Sequence, residues 1–396
     1  MTELIPKTQT PSLIAATPRF SSLDAHRGLI MVLMAIDHAS YFIARVHSAE
    51  FWGVTLPFYP DASWFWMRWI THLCAPGFFL LMGIGMALFA VSRRKAGWSE
   101  NRITEFFVLR GVFLILLQLF VENPAWRFGD LFMAPGAMTF RGGVPGTGSG
   151  EDLYLGVLFA LGGAMVFWAL VRRSSSPVIA LISLAAILAT QWVTPDRNHV
   201  SFPYSPFLRI LIIPGYTNGW TVFYPLIPWL GVIGLGLLFG RLLHLKPLRV
   251  GRIAAWAAAG CLILFILVRS IGTFGNLNDV PSGWMGFLNV VKYPPSLSFL
   301  AITLAINFVL IPAWMRLEST LQSRFHPLLV FGRAPLFFYL LHLWLFALLG
   351  ILFREGSSLA TMCLVWLMGL AILYPLCFQY APFKNRKPVT SLWRFL

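Results

Sequence analysis

Residues 22–28 read Ser22-Leu23-Asp24-Ala25-His26-Arg27-Gly28, and the apolar run that follows carries Asp37-His38 at its middle, before His47. An acidic residue and an imidazole therefore sit side by side where a lipid-spanning helix should be apolar. Ionisable groups at membrane depth cost about 2.5–3.5 kcal/mol each on insertion scales, so they face a cavity or a partner. The rest of the chain is read as what surrounds that pair.

The chain has 396 residues, 58% of them hydrophobic and 11% charged, with a mean hydropathy of +0.73. Soluble domains carry about 25% charged residues, so the class is integral membrane protein. A span needs about 20 mostly apolar residues, and that rule yields about ten spans. They run over residues 27–46, 66–91, 103–121, 153–171, 177–193, 223–243, 253–271, 293–315, 327–353 and 359–380. Pro206 to Gly215 is apolar but short, and as an interfacial or re-entrant piece it would be an eleventh element. The fold class expected is an all-α polytopic membrane bundle with 10 or 11 transmembrane helices. It is organised as a tail over 1–20, one transmembrane domain over 21–383 and a basic tail over 384–396.

The formal net charge is +15. Its cations sit in alternate short loops: Arg93, Arg94, Lys95 and Arg102; Arg172 and Arg173; Arg241, Lys246, Arg249 and Arg252; Arg316 and Arg324. The positive-inside rule places these loops and both termini in the cytoplasm, and it replaces nucleic-acid binding as the reason for the charge. No signal peptide is expected, because no apolar h-region precedes Leu29. Cys74, Cys261, Cys363 and Cys377 all lie in apolar runs without metal-ligand spacing. Neither a disulfide nor a metal site is expected. The glycine-rich stretch Arg141 to Gly150 reads as an exterior linker or a lid, not a phosphate loop.

Three histidines fall inside predicted spans: His38, His72 and His342. At 1.5 Å per residue, His72 lies roughly 9 Å below the exterior surface. Histidine is the usual general base and proton shuttle near neutral pH. Each could alternatively be a hydrogen-bonded structural residue between helices. Toward the cytoplasm, Arg27, Arg110 and Arg333 enter the first, third and ninth spans. They read either as structural partners of Asp24 and Glu105 or as ligands of a phosphate-bearing molecule, which arginine matches in bidentate geometry.

Five stretches taken in order resemble the bacterial branch of the transmembrane acyltransferases typified by heparan-α-glucosaminide N-acetyltransferase. They are Ser22 to Gly28; Arg68-Trp69-Ile70-Thr71-His72-Leu73-Cys74-Ala75-Pro76-Gly77-Phe78-Phe79; Tyr224-Pro225-Leu226-Ile227-Pro228-Trp229-Leu230-Gly231; Lys292-Tyr293-Pro294-Pro295-Ser296-Leu297; and Phe331-Gly332-Arg333 through His342. The resemblance implies a helical membrane enzyme of the bacterial inner membrane. It would take an acyl group, acetyl first, from cytoplasmic acyl-CoA as co-substrate, with no permanently bound cofactor. The acceptor would be a sugar or glycan at the far side, and a histidine at membrane depth would be base or acyl carrier. In lysosomal members that histidine precedes an Ala-Ser-Trp triplet. Here Asp61 precedes Ala62-Ser63-Trp64, so either His72 or His38 takes the role or this branch does not do that chemistry. Gln118 stands where near members often carry glutamate.

The site expected is thus His72, His38 and His342 with Asp37 orienting a histidine, and Arg27, Arg110 and Arg333 on the CoA phosphates. The partners expected are acyl-CoA, the acceptor glycan, the bilayer and a second copy of the chain as a homodimer. Two other classes stay open: a proton-coupled transporter built on Asp37-His38, and a passive membrane scaffold.

Overall fold

A computed structural model describes residues 20–142, 144–147, 153–318, 321, 323 and 326–396. Most of the N-terminal tail, part of the glycine-rich stretch and Arg324 lie outside the described residues.

The chain is a helical membrane bundle, and among the described residues nine helical stretches are long and apolar enough to cross a bilayer. The first is α1, Ser21–Ala39, prolonged by a π turn over Ser40–Ala44. Arg45 ends it at φ 53°, and its buried guanidinium donates to the carbonyls of Gly350 and Phe353 at 3.0 and 3.2 Å. After β1, Val46–Ser48, comes α2, Ala62–Thr71. Asp61, where the family's histidine is expected, caps α2 by accepting from the Ser63 and Trp64 amides at 2.8 and 3.0 Å. His72 and Leu73 interrupt the helix before α3, Cys74–Lys95, whose last turn places three cations at the negative end of its dipole. Helix α4, Glu100–Leu117, runs through a π turn at Gln118–Glu122 into α5, Asn123–Leu131.

Strands β2 (Thr139–Arg141), β3 (Gly146–Thr147) and β4 (Leu153–Leu155) lead to α6, Val157–Val171. The fourth predicted span is therefore a 15-residue helix of about 22 Å, because its first residues pair as a strand instead. Helix α7 is Ser176–Val193. The short apolar piece is α8, Pro206–Leu211, one and a half turns that do not cross. Strands β5, Gly215–Thr217, and β6, Trp220–Val222, form a hairpin on Asn218-Gly219, both at positive φ as a two-residue turn requires. Then follow α9 (Leu226–Leu245), α10 (Val250–Ile271), the short α11 (Gly283–Leu288) and α12 (Leu297–Arg316).

The ninth predicted span is two helices, α13 (Pro327–Arg333) and α14 (Pro335–Leu349). Ala334 leaves the helical region at φ −131°, ψ 51°, because the ring of a following proline disfavours it there. The chain closes with α15, Leu359–Asn385, and α16, Leu392–Phe395, which folds back so that Phe395 meets Phe106 at 5.2 Å.

Strand order β3-β5-β6-β4 and the β1–β2 pair tie together loops that follow α1, α5 and α7, and so build a cap on one face. The cation-rich loops lie on the opposite face. Helix α10 turns Trp256, Ile263 and Leu267 outward, as a lipid-facing helix must.

Backbone contact between small residues holds the bundle, since lipid removes the hydrophobic drive between spans. A Cβ at Gly83 of α3 would stand 2.1 Å from the Ile233 carbonyl of α9. A Cβ at Gly332 of α13 would stand 1.7 Å from the Asp24 carbonyl of α1. Gly332→Ala must push α13 off α1, a clash of the kind that costs about 1–3 kcal/mol or more. The melting temperature in detergent is expected to drop for Gly332→Ala and to hold for Gly260→Ala, which meets nothing within 4 Å.

Candidate active site

On the cation-rich face, α1, α3, α4, α6, α13, α14 and α15 line a cavity of about 350 Å³. Arg27, Arg110, Arg333 and Lys384 line it, against one carboxylate among the described residues, Asp24. Arg27 Nη1 donates to Asp24 Oδ1 at 2.9 Å, one turn apart on α1. Phe78, Met82, Phe106, Leu114 and Met165 give the cavity apolar walls. The three arginines singled out in the sequence therefore share one chamber, with Lys384 as a fourth cation. Glu105, the suggested partner of Arg110, is exposed on α4. Tyr339 of α14 lines the cavity too.

Behind Tyr339 lies a histidine pair. His38 Nδ1 and His342 Nε2 are 2.6 Å apart, with rings stacked at 4.8 Å. The Tyr339 ring stands edge-on to both, at 6.3 and 5.6 Å. Its hydroxyl faces the Glu122 carboxyl, whose Oε2 is buried with no hydrogen-bond partner among the described residues. A run of aromatic rings leads from the pair toward the sheet-bearing face: Trp126 lies 5.1 Å from His38, Tyr154 6.3 Å from Trp126 and Phe223 5.5 Å from Tyr154.

The third histidine stands apart from this pair. Contrary to the expectation from the sequence, Asp37 does not orient a histidine; its carboxylate accepts from Arg68 Nη1. Arg68 carries the chain of charges onward, with Nε on Glu50 Oε1 at 2.9 Å and Nη2 on Glu50 Oε2 at 2.7 Å. Such a bidentate grip uses the guanidinium's fork geometry and would be lost with lysine. His72 Nε2 lies 3.4 Å from Glu50 Oε2, so His72 belongs to this ladder. Tyr59 Oη donates to Glu50 Oε1 at 3.2 Å.

Glu50 and His47 lie in the cap, outside the spans. Burial alone would raise the Glu50 carboxyl, but Arg68 and His72 beside it outweigh that and hold it well below the ordinary carboxylate range. Burial, reinforced by the nearby Arg68 charge, lowers His47 to about 4.

Sequence reasoning passed over Glu50, Arg68 and Glu122. Glu50 and Glu122 lie between predicted spans, where a carboxylate is unremarkable. Arg68 carried a legible signal, an arginine in an apolar run four residues before His72, and only its partners were hidden. Gln118, read as the site of a missing charge, is buried one turn before Glu122 and donates to Asn123 Oδ1 at 3.0 Å. His26 is structural, bonded to Asn307 of α12 at 2.9 Å.

Two outcomes follow from the ladder. Arg68→Ala leaves two carboxylates without their cation, a loss of the kind that costs about 3–5 kcal/mol, and should lower the melting temperature sharply. The second concerns pH. A histidine held near 4 in the fold but titrating near 6.5 when unfolded gives stability that is complete above 6.5 and is lost as pH falls toward 4. Melting temperature should therefore decline across that window, and His47→Gln should flatten the decline.

The sequence profile of the family described as heparan-alpha-glucosaminide N-acetyltransferase, catalytic, matches residues 19–272, more than half of the chain. None of the curated proteins compared matches it significantly. The matched part holds α1 through α10, with Arg27, Asp37, His38, Glu50, Arg68, His72, Arg110 and Glu122; His342 and Arg333 lie beyond it. The chain is a multi-pass membrane protein that belongs to the heparan-α-glucosaminide N-acetyltransferase catalytic family, a family of membrane acetyltransferases.

Proposed function

We propose that this protein moves an acyl group, acetyl first, from acyl-CoA at its cation-rich face to a hydroxyl or amine of a sugar or glycan at its sheet-bearing face. The single observation that carries the reading is the placement of Arg27, Arg110, Arg333 and Lys384 around one cavity whose lining includes Tyr339, with the His38–His342 pair directly behind that ring. Guanidinium groups match the phosphates of CoA bidentately. The apolar walls suit its uncharged arm and a short acyl chain, while the histidines stand ready to take a proton or the acyl group.

The cation excess of the loops around the cavity supports a cytoplasmic position for this face, in a bacterial inner membrane. The aromatic run from Trp126 to Phe223 offers ring faces and edges to an acceptor from the other side. The chain would hold no resident cofactor, and acyl-CoA would be consumed as co-substrate.

The placement of Asp37 argues against a proton-coupled carrier. Such a carrier needs a midplane carboxylate that changes protonation, and Asp37 is committed to Arg68.

Acetyl-CoA in hundredfold excess over its Kd should stabilise the purified protein by about 2.7 kcal/mol, read as a rise in melting temperature. The Arg110→Ala/Arg333→Ala double variant should lose that rise. Transfer of labelled acetyl from acetyl-CoA to envelope glycans should be present in the wild type and absent in His38→Ala. No shift with acetyl-CoA or longer acyl-CoAs would remove the donor site, and proton-driven flux without CoA would establish the transporter instead.

A further inference from the structure

We infer that His38 Nε2 is the nitrogen that takes the proton during transfer, and that His342 is a positioning residue that sets the tautomer of His38. The catalytic part of this rests on the function proposed above. The assignment of atoms rests on hydrogen-bond chemistry alone.

His342 Nδ1 lies 3.0 Å from the Phe338 carbonyl, one turn back on α14. A carbonyl oxygen only accepts, so the proton of His342 is on Nδ1. A neutral imidazole then carries its lone pair on Nε2, and that atom faces His38 Nδ1 at 2.6 Å. His38 Nδ1 must therefore be the donor, which leaves the lone pair of His38 on Nε2. A cationic pair would add charge at membrane depth, where it is costly.

Exposure separates the two rings in the same way. His342 is fully buried, with both nitrogens committed. His38 is partly exposed, and its Nε2 has no hydrogen-bond partner among the described residues. His72 offers no such atom, since both its nitrogens are buried and Nε2 faces Glu50. The charges around His38 come from several elements: Asp37 beside it on α1, Arg68 on α2, and His47 and Lys292 in the cap. Asp37 and Arg68 offset each other.

In the step assigned to His38, the acceptor oxygen or nitrogen attacks the thioester carbonyl carbon as its proton moves to His38 Nε2. The new C–O or C–N bond forms and the C–S bond breaks. The thiolate takes the proton from Nε2, so free thiol leaves and His38 returns to neutral. Throughout, His342 keeps its proton on Nδ1 and accepts from His38 Nδ1, which steadies the transient imidazolium.

Histidine ¹⁵N spectra of the detergent-solubilised protein test the assignment without relying on activity. His38 is expected as the Nδ1–H tautomer in the wild type and in His342→Gln, where the amide oxygen still accepts from Nδ1–H. In His342→Leu it should move toward the Nε2–H form. In acetyl-transfer assays His38→Gln should lose kcat hundredfold or more, within the roughly 10²–10⁴ range of general-base catalysis. His342→Gln should keep about a tenth or more of kcat and His342→Leu should fall well below it, both with KM little changed. An Nε2–H tautomer at His38 in the wild type overturns the assignment, as does His342→Gln as inactive as His38→Gln. A wild type with the expected tautomer but no acyl transfer to any acceptor would leave the assignment of atoms standing and count against the proposed function alone.

Discussion

The interaction on which the rest of the site depends is the grip of Arg68 on two carboxylates. A guanidinium at membrane depth has no water to share its charge, so each charged face needs a partner. Asp37 comes from the middle of α1, and Glu50 from the loop that closes over it. One side chain on α2 thus fastens the first span to the cap. It does so with three short contacts that only a planar fork can make together. His72, Tyr59 and the half-buried His47 then fall into place around Glu50. Asp37 faces this ladder, while His38, about 100° further round α1, meets α14 instead.

A second constraint shapes the other face. Helix α13 can lie on α1 because Gly28 and Gly332 present bare backbone to each other's helices. That close approach brings Arg27 and Arg333, each next to one of those glycines, to the same cavity. The break at Ala334 matters equally. It ends the helix that carries Arg333 and starts a new one at Pro335, so that Tyr339 and His342 can face inward on α14. A continuous helix from Pro327 would have fixed those three residues on one rigid period of 3.6. The cations of the cavity and the histidine pair are separated by one aromatic ring, Tyr339, which under the proposed function would set the chemistry off from the phosphate site.

Much of this was legible in the chain. Every predicted span falls on one helix or on two in succession, because apolar length is a strong signal and a helix alone satisfies its own backbone in lipid. The ionisable residues inside those spans were found for the same reason, since each departs from the pattern. Their partners were not. Asp37 beside His38 suggested a carboxylate–imidazole pair, yet neighbours in a helix point about 100° apart, and the carboxylate goes to α2. Glu50 and Glu122 lie where polar residues are ordinary, so nothing in the local sequence sets them off. The fourth span loses its start to a strand pairing and the ninth is divided in its interior before a proline, both against the hydropathy.

The sequence by itself determined that this is an α-helical membrane protein, how many times its apolar segments recur, and which ionisable residues stand out against the apolar background. Composition and period are local properties, and the bilayer reads them locally. Only the tertiary structure decided which of three histidines meet, which arginine is held in a charge ladder and which line a cavity. Those outcomes depend on helix rotation and on contacts between residues up to 304 positions apart, as between His38 and His342. Hydrogen-bond direction then followed from one carbonyl on α14, an atom every residue carries and no sequence motif marks.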